Sequence, residues 1–150
     1  MRASDHIPFS FVPFVFEQTV YLTSRASGKI VSCTEGEMGP LVADRDKADT
    51  WETIVPEHQP DGTVAFRSAI SDLYISVEEG TNRLIPSRTE IQEWEKFRAF
   101  RCDSEDDTAF ILQSCKNGRF VQTHLNCDPP YLVADCVTPD SWEQFCQHRV

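Results

Sequence analysis

Glycine, basic charge and long apolar runs are all scarce in this chain, and each shortage argues against a class of function. With six glycines in 150 residues, the sequence disfavours the glycine-rich backbone loop that cradles phosphate. Lys and Arg total 14 against 24 Asp and Glu, for a net charge of −10, and such a chain lacks the basic surface that nucleic acids and anionic membranes attract. No apolar run approaches the length of about 18 residues that a membrane span needs. We therefore expect neither nucleic acid nor a membrane as a partner.

Patterns for metal binding and catalysis are also absent. The four histidines are scattered without the spacing that holds a metal. No two cysteines form the Cys-x-x-Cys motif of a zinc site. His124 and Cys127 are close in sequence and could form a nucleophilic pair, but a loop histidine beside a structural thiol is the favoured interpretation. The acidic runs at 35–37, 78–79 and 103–107 are typical of solvated loops rather than calcium sites. We expect no catalytic residue, metal or cofactor.

The cysteines and the N-terminus indicate a cytoplasmic protein. Five of the six cysteines lie in the last third of the chain, a distribution that favours reduced thiols over a disulfide framework. The apolar part of residues 1–16 is interrupted by Pro8, Ser10 and Pro13, and no small-residue cleavage site follows it. The composition, 40% hydrophobic and 25% charged, is that of one folded globular domain.

One pattern occurs three times. Each copy is a Trp-Glu pair followed by Ile or Phe three residues after the Trp, and each Trp lies ten residues after the Leu of a Leu-Val or Leu-Ile pair. A second motif of eleven positions aligns without gaps at 22–32, 66–76 and 112–122. Its centre carries Ser-Gly, Ser-Asp or Asn-Gly, which supply the positive φ of a tight hairpin turn. Each repeat therefore contains a hairpin, and the only tryptophans of the chain mark its register, Trp51, Trp94 and Trp142.

Three repeats of four short strands predict an all-β protein with the β-trefoil fold. The period is 43 to 48 residues and no helical periodicity is present, whereas a β-propeller needs at least four such units. We expect repeats at about 16–58, 59–103 and 104–150, preceded by a Phe- and Pro-rich segment at 1–15. The alignment predicts twelve core residues in four threefold sets: Leu22, Phe66 and Leu112; Val31, Ile75 and Val121; Leu41, Leu84 and Leu132; Ile54, Phe97 and Phe145.

The repeated Trp-Glu pair is expected to belong to the last strand of each repeat. The tryptophans should then pack beside the core, hold the barrel and contact no ligand. The glutamates should face outward and pair with basic residues on a neighbouring strand, where exposed ion pairs contribute little to stability. They are Glu52, Glu95 and Glu143.

Two segments fall outside the repeat pattern. Residues 7–16 hold four of the ten phenylalanines, and they are expected to pack across the open end of the barrel. The alternative is a ligand-binding or self-association patch, with a homodimer through Phe9, Phe11 and Phe14. The loop at 125–131 combines Asn, Asp and Tyr, which could contact a sugar, although these residues are equally common in ordinary loops.

The motifs resemble those of the fascin-like branch of the β-trefoils over residues 16–148. In that branch each repeat pairs a Ser-containing hairpin with a Leu-x-Ala-x-Arg strand and a Trp-Glu-x-Phe strand. The resemblance implies either actin binding, as in members with four tandem trefoils, or sugar binding, as presumed for single trefoils. The sequence departs from the pattern where Cys136 stands in place of Arg45 and Arg88. A threefold-repeated ligand site would therefore be intact in one or two repeats at most.

Three functions remain open from sequence. The first is a non-catalytic, lectin-like module that recognises carbohydrate through surface loops. The second is an actin-binding protein, which would have to dimerise to bundle filaments. The third is a small enzyme or accessory protein that binds an apolar small molecule near the Phe-rich N-terminus. The candidate ligand-binding residues are Asp44, Arg45, Arg88, His124, Asn126, Asp128 and Tyr131.

Overall fold

A computed structural model shows thirteen short strands among the residues that it describes. The described ranges are 9–33, 39–102, 107–127, 129–139 and 143–150, with side chains from Val12 onward. The strands are β1 (Phe9–Pro13), β2 (Val20–Ser24), β3 (Ile30–Ser32), β4 (Val42–Arg45), β5 (Ile54–His58), β6 (Val64–Ser68), β7 (Tyr74–Val77), β8 (Leu84–Arg88), β9 (Phe97–Cys102), β10 (Ala109–Ser114), β11 (Phe120–Thr123), β12 (Leu132–Cys136) and β13 (Phe145–Arg149). Nowhere in these ranges is there a helix long and apolar enough to cross a membrane.

Six strands close a barrel and three hairpins cover one of its ends. The barrel pairing runs β2–β5–β6–β9–β10–β13 and returns to β2. The hairpins are β3–β4, β7–β8 and β11–β12. Backbone bonds join them around the pseudo-threefold axis, because Leu41 N donates to Leu84 O at 2.8 Å and Leu132 N donates to Leu41 O at 3.0 Å. This arrangement is a β-trefoil, so the predicted fold class is confirmed.

The turns that connect the strands follow the sequence pattern closely. Three of the residues in the left-handed region occupy the same place in each repeat, Gly28 at φ 70°, Asp72 at 64° and Gly118 at 70°. Gly and Asp tolerate this conformation better than most residues do. All twelve predicted core residues are at most 3% exposed. The alternation of each strand therefore places the apolar side chains inside, as expected for strands with one solvated face.

The Trp-Glu pair does not form part of a strand, contrary to the prediction. In the first two repeats it lies in a short 3₁₀ turn, at Thr50–Glu52 and Glu93–Glu95, and the strand begins three residues after each Trp. Trp51 is 40% exposed, so its predicted place beside the core is wrong. Trp94 is half-buried against the core, and Trp142 lies outside the described residues. The difference arises because the Trp lies in the turn that precedes the barrel strand, outside the alternation that buries the residues of the strand.

The predicted outward orientation of the three glutamates is also wrong. Glu52, Glu95 and Glu143 are at most 4% exposed. A buried carboxylate is costly unless hydrogen bonds satisfy it, and the 3₁₀ turns of the first two repeats provide one such bond from a backbone N–H. Glu52 accepts from Asp49 N at 2.9 Å, and Glu95 accepts from Gln92 N at 2.9 Å. The second oxygen of each accepts from a serine on a hairpin strand, Ser32 of β3 or Ser76 of β7. The repeated glutamate therefore ties the turn to the neighbouring hairpin rather than pairing with surface charge.

The N-terminal segment adds a strand and two aromatic core residues. β1 pairs with β9, and Phe14 N donates to Ala99 O at 2.8 Å. Phe14 and Phe16 are both buried, and each ring centroid lies within 5.1 Å of that of Phe110. Phe14 is thus unavailable for the homodimer suggested from sequence, while the side chains of Phe9 and Phe11 lie outside the described residues.

Candidate functional site

A group of polar side chains shares the outward face of the third-repeat hairpin. Thr123 of β11 pairs with Leu132 of β12, and both side chains are buried. At the next position along the hairpin, Gln122 pairs with Val133. The hairpin ladder continues past the strand end, because His124 N donates to Tyr131 O at 2.8 Å. Since successive side chains of a strand point to opposite faces, Gln122 and His124 share a face with Tyr131.

Asp135 is the centre of this group. One carboxylate oxygen accepts from Gln122 Nε2 at 2.8 Å, and the other lies 2.8 Å from His124 Nε2. Both side chains of the His124–Asp135 pair are about 30% exposed or less, so the carboxylate is half-buried but reachable from solvent. Two directional contacts fix its orientation and leave further lone pairs available to accept hydrogen bonds.

A cleft of about 250 Å³ adjoins the group. It is lined by Gln122, Thr123, His124 and Asn126. The Thr123 hydroxyl is held inside by Ser24 Oγ at 2.7 Å, whereas the amide of exposed Asn126 adds both a donor and an acceptor at the rim. The cleft therefore offers hydrogen-bonding groups of both kinds.

Tyr131 supplies an aromatic ring on the same face. The Arg83 guanidinium carbon lies 4.4 Å from the centre of that ring, and the backbone of Arg83 forms an isolated bridge with Val133. The second repeat therefore contributes a side chain to a face that otherwise belongs to the third repeat.

The structure brings together only some of the residues predicted from sequence. His124, Asn126 and Tyr131 belong to the third-repeat group, and Asp128 lies outside the described residues. Asp44 and Arg45 lie on β4, where their side chains pair with each other at 3.4 Å.

Arg88, the remaining predicted residue, lies at the end of β8. It lines a separate cleft of about 240 Å³ with Trp94 and Gln92 among its neighbours. The predicted residues therefore occupy three places rather than one site.

Sequence reasoning missed Gln122, Asp135 and Arg83. The sequence does contain a signal for Gln122, because the aligned position is a serine in both other repeats, Ser32 and Ser76. Asp135 aligns with Asp44 and carries no such signal. Arg83 comes from another repeat, and only the tertiary fold places it beside Tyr131.

The cysteines near this face behave as structural groups. The imidazole of His124 bonds Asp135, and Cys127 bonds His124 only through its backbone N–H, at 3.3 Å. Burial and a hydrogen bond to Glu143 raise the pKa of Cys136 to about 12, so its thiol stays protonated at neutral pH and is a poor nucleophile. In the described part of the chain, no three His, Cys, Asp or Glu side chains are grouped to hold a metal.

Solved β-trefoil structures match this chain over most of its length. A designed threefold-symmetric protein, ThreeFoil, matches with a TM-score of 0.75 at 12% identity, over 89% of this chain and 100% of its own. The Macrolepiota procera ricin B-like lectin, solved with lactose, gives 0.71 at 12% identity over 89% and 96%. The Polyporus squamosus lectin, solved with Neu5Acα2-6Galβ1-4GlcNAc, gives 0.71 at 16% identity over 90% of this chain and 50% of its own.

These similarities show the β-trefoil fold alone, because all of the identities are low. No protein-family model matches the sequence, and no curated protein matches it. The fascin-like family is therefore not confirmed, and the resemblance to it is one of sequence motifs.

Proposed function

We propose that this protein is a carbohydrate-binding module and that the outward face of β11–β12 is its sugar site. The observation that carries the proposal is the carboxylate of Asp135, held in place by Gln122 and His124 at 2.8 Å each. Sugars present several hydroxyls in fixed directions, and a small number of preorganised acceptors and donors recognises them with specificity.

The neighbours of Asp135 complete the set of groups that a sugar requires. Asn126 and the second ring nitrogen of His124 can bond further hydroxyls. The part of the Tyr131 ring that the Arg83 guanidinium leaves uncovered offers an apolar surface to the C–H groups of a pyranose. Two of the similar solved structures are lectins crystallised with saccharides, which supports the same class of ligand on this fold.

The other two functions suggested from sequence gain no support. Actin bundling needs two actin-binding surfaces, and no feature of the described residues supports such a surface. The net charge of −10 also disfavours an acidic protein partner. A cleft of about 340 Å³ lies beside the N-terminal segment, but most of the side chains that line it are charged or amide groups, among them Glu17, Arg101 and Asp107, which do not suit an apolar ligand. Phe14 and Phe16 pack against each other and the barrel core, with ring centroids 4.9 Å apart.

A glycan array followed by calorimetry tests the proposal. We expect Asp135→Ala to weaken binding of the best glycan by about tenfold or more, because it removes an acceptor and releases both His124 and Gln122. Asp44→Ala is the matched control, since Asp44 occupies the same position in the first repeat and should leave affinity unchanged. The proposal fails if no glycan binds, or if the two variants lose affinity equally.

A further inference from the structure

The guanidinium of Arg83 lies against Tyr131, at the edge of the proposed sugar site. We propose that the bound saccharide carries a carboxylate, as uronic and sialic acids do, and that Arg83 recognises it. This inference rests on the proposed function, because it specifies the chemical class of ligand for the same site.

The register places Arg83 at the edge of the site. Its backbone bridges Val133 of β12, and Val133 pairs with Gln122 of β11. Tyr131, two residues before Val133, lies on the same face and carries the guanidinium 4.4 Å from its ring centre. Tyr131 therefore neighbours both Arg83, whose guanidinium covers a face of its ring, and His124, its cross-strand partner, so a saccharide bound beside the ring would reach both.

The stacked guanidinium has its hydrogen-bonding edge available. Among the described residues the structure shows no ion pair for Arg83, although a carboxylate is near. Glu78 is its neighbour across the β7–β8 turn, where Glu78 N donates to Arg83 O at 2.8 Å. The carboxylate of Glu78 instead accepts from Thr81 Oγ1 at 2.6 Å. An aromatic ring fixes the plane of a guanidinium while leaving its donors in that plane, which is the geometry that binds a carboxylate through two parallel bonds.

Because the chain is acidic overall, recognition of an acidic sugar should depend on the local contact with Arg83. A net charge of −10 repels polyanions in general, so an acidic ligand gains nothing from long-range attraction. The second acidic group of the face, Asp135, is already bonded by Gln122 and His124. Binding of an acidic sugar should therefore depend on one local cation, and the substitution of that cation is a clean test.

The test uses a glycan array in which each uronate- or sialate-bearing saccharide stands beside its carboxyl-reduced form. We expect the acidic member of the best pair to bind at least about tenfold more tightly, the size typical of a charge-assisted bond. Arg83→Met keeps an apolar chain on Tyr131 and should abolish this ratio while leaving affinity for the reduced form. Arg83→Lys should restore part of it. Arg98→Met removes an exposed arginine from β9 and should change nothing.

The outcomes separate the two proposals. Equal affinity for the members of each pair, or an acidic preference that survives Arg83→Met, overturns the role of Arg83 and leaves the carbohydrate site standing. An array on which wild-type protein binds no saccharide, acidic or reduced, overturns both. Loss of both affinities in Arg83→Met with an unchanged thermal midpoint would show that Arg83 binds the neutral part of the sugar and would also contradict the acidic ligand.

Discussion

The third repeat solves the same structural problem as the first two with different chemistry. In the first repeat the buried glutamate accepts from Ser32 Oγ at 2.6 Å, and in the second repeat Glu95 accepts from Ser76 Oγ at 2.7 Å. In the third repeat the donor is the thiol of Cys136, 2.7 Å from Glu143. The buried carboxylate is kept and only its donor has moved to another strand.

The change of donor means that residue 122 is not needed to bond the buried glutamate. Gln122 occupies the place of Ser32 and Ser76 in the alignment, yet it bonds Asp135 on the outward face. Because Cys136 supplies the donor to the buried glutamate, residue 122 need not be a short side chain with a hydroxyl. The candidate site thus lies in the repeat where a different donor satisfies the buried glutamate.

The largest expected effect comes from the part that all three repeats share. Phe97→Ala removes a fully buried ring and should reduce the free energy of unfolding by about 3–5 kcal/mol through lost burial and a cavity. Trp51→Ala is the contrast, because a side chain that is 40% exposed should cost only about 1 kcal/mol. Urea denaturation measures both. Similar costs would show that the repeated Trp does belong to the core.

An intermediate effect should come from the donors to the buried glutamates. Ser76→Ala leaves one oxygen of Glu95 without its hydroxyl partner and should cost about 1–3 kcal/mol. Cys136→Ser replaces the thiol that donates to Glu143 with a hydroxyl. Its free energy of unfolding should therefore stay within about 1 kcal/mol of the wild type. The free energies come from chemical denaturation. A neutral Ser76→Ala would contradict the role given to this bond.

The smallest effect is a pH dependence contributed by Cys136, the thiol that bonds the buried glutamate of the third repeat. The pKa of Cys136 is raised to about 12 by burial and by Glu143, whereas in the unfolded chain a thiol ionises near its usual value of about 8.5. The stability from this neutral thiol is fully present below the unfolded value and is lost as pH rises toward 12.

Urea midpoints compared from about pH 8 to about pH 10.5 should therefore fall more steeply for the wild type than for Cys136→Ser, whose hydroxyl does not titrate there. Other titrating groups, including Cys33 with its pKa raised to about 11 by burial, are common to both proteins and cancel in the comparison. Parallel slopes would mean that the Cys136 thiol is not buried against Glu143.

The fold was predictable from sequence because its signals are local and repeated. Hairpin dipeptides and alternating apolar residues recur in register, and the turn residues Gly28, Asp72 and Gly118 adopt the expected φ. The orientation of Glu52 was not predictable in the same way. A carboxylate after a Trp is equally compatible with a surface ion pair, and only its contact with Ser32, twenty residues away, shows that it is buried.

The candidate site was predictable only in part for the same reason. His124, Asn126 and Tyr131 drew attention as a polar loop with an aromatic residue. The anchor of the site, Asp135, meets His124 only because the β11–β12 hairpin closes between them.

By itself, the sequence determined the threefold β-trefoil and its core, since side-chain alternation and turn conformation depend on neighbouring residues. Only the tertiary structure decided which outward side chains meet. Arg83 contacts Tyr131 across a repeat boundary because the three hairpins converge on one axis, and convergence is a property of the closed barrel rather than of any local stretch. The scaffold is thus encoded locally, while the proposed sugar site depends on contacts between repeats.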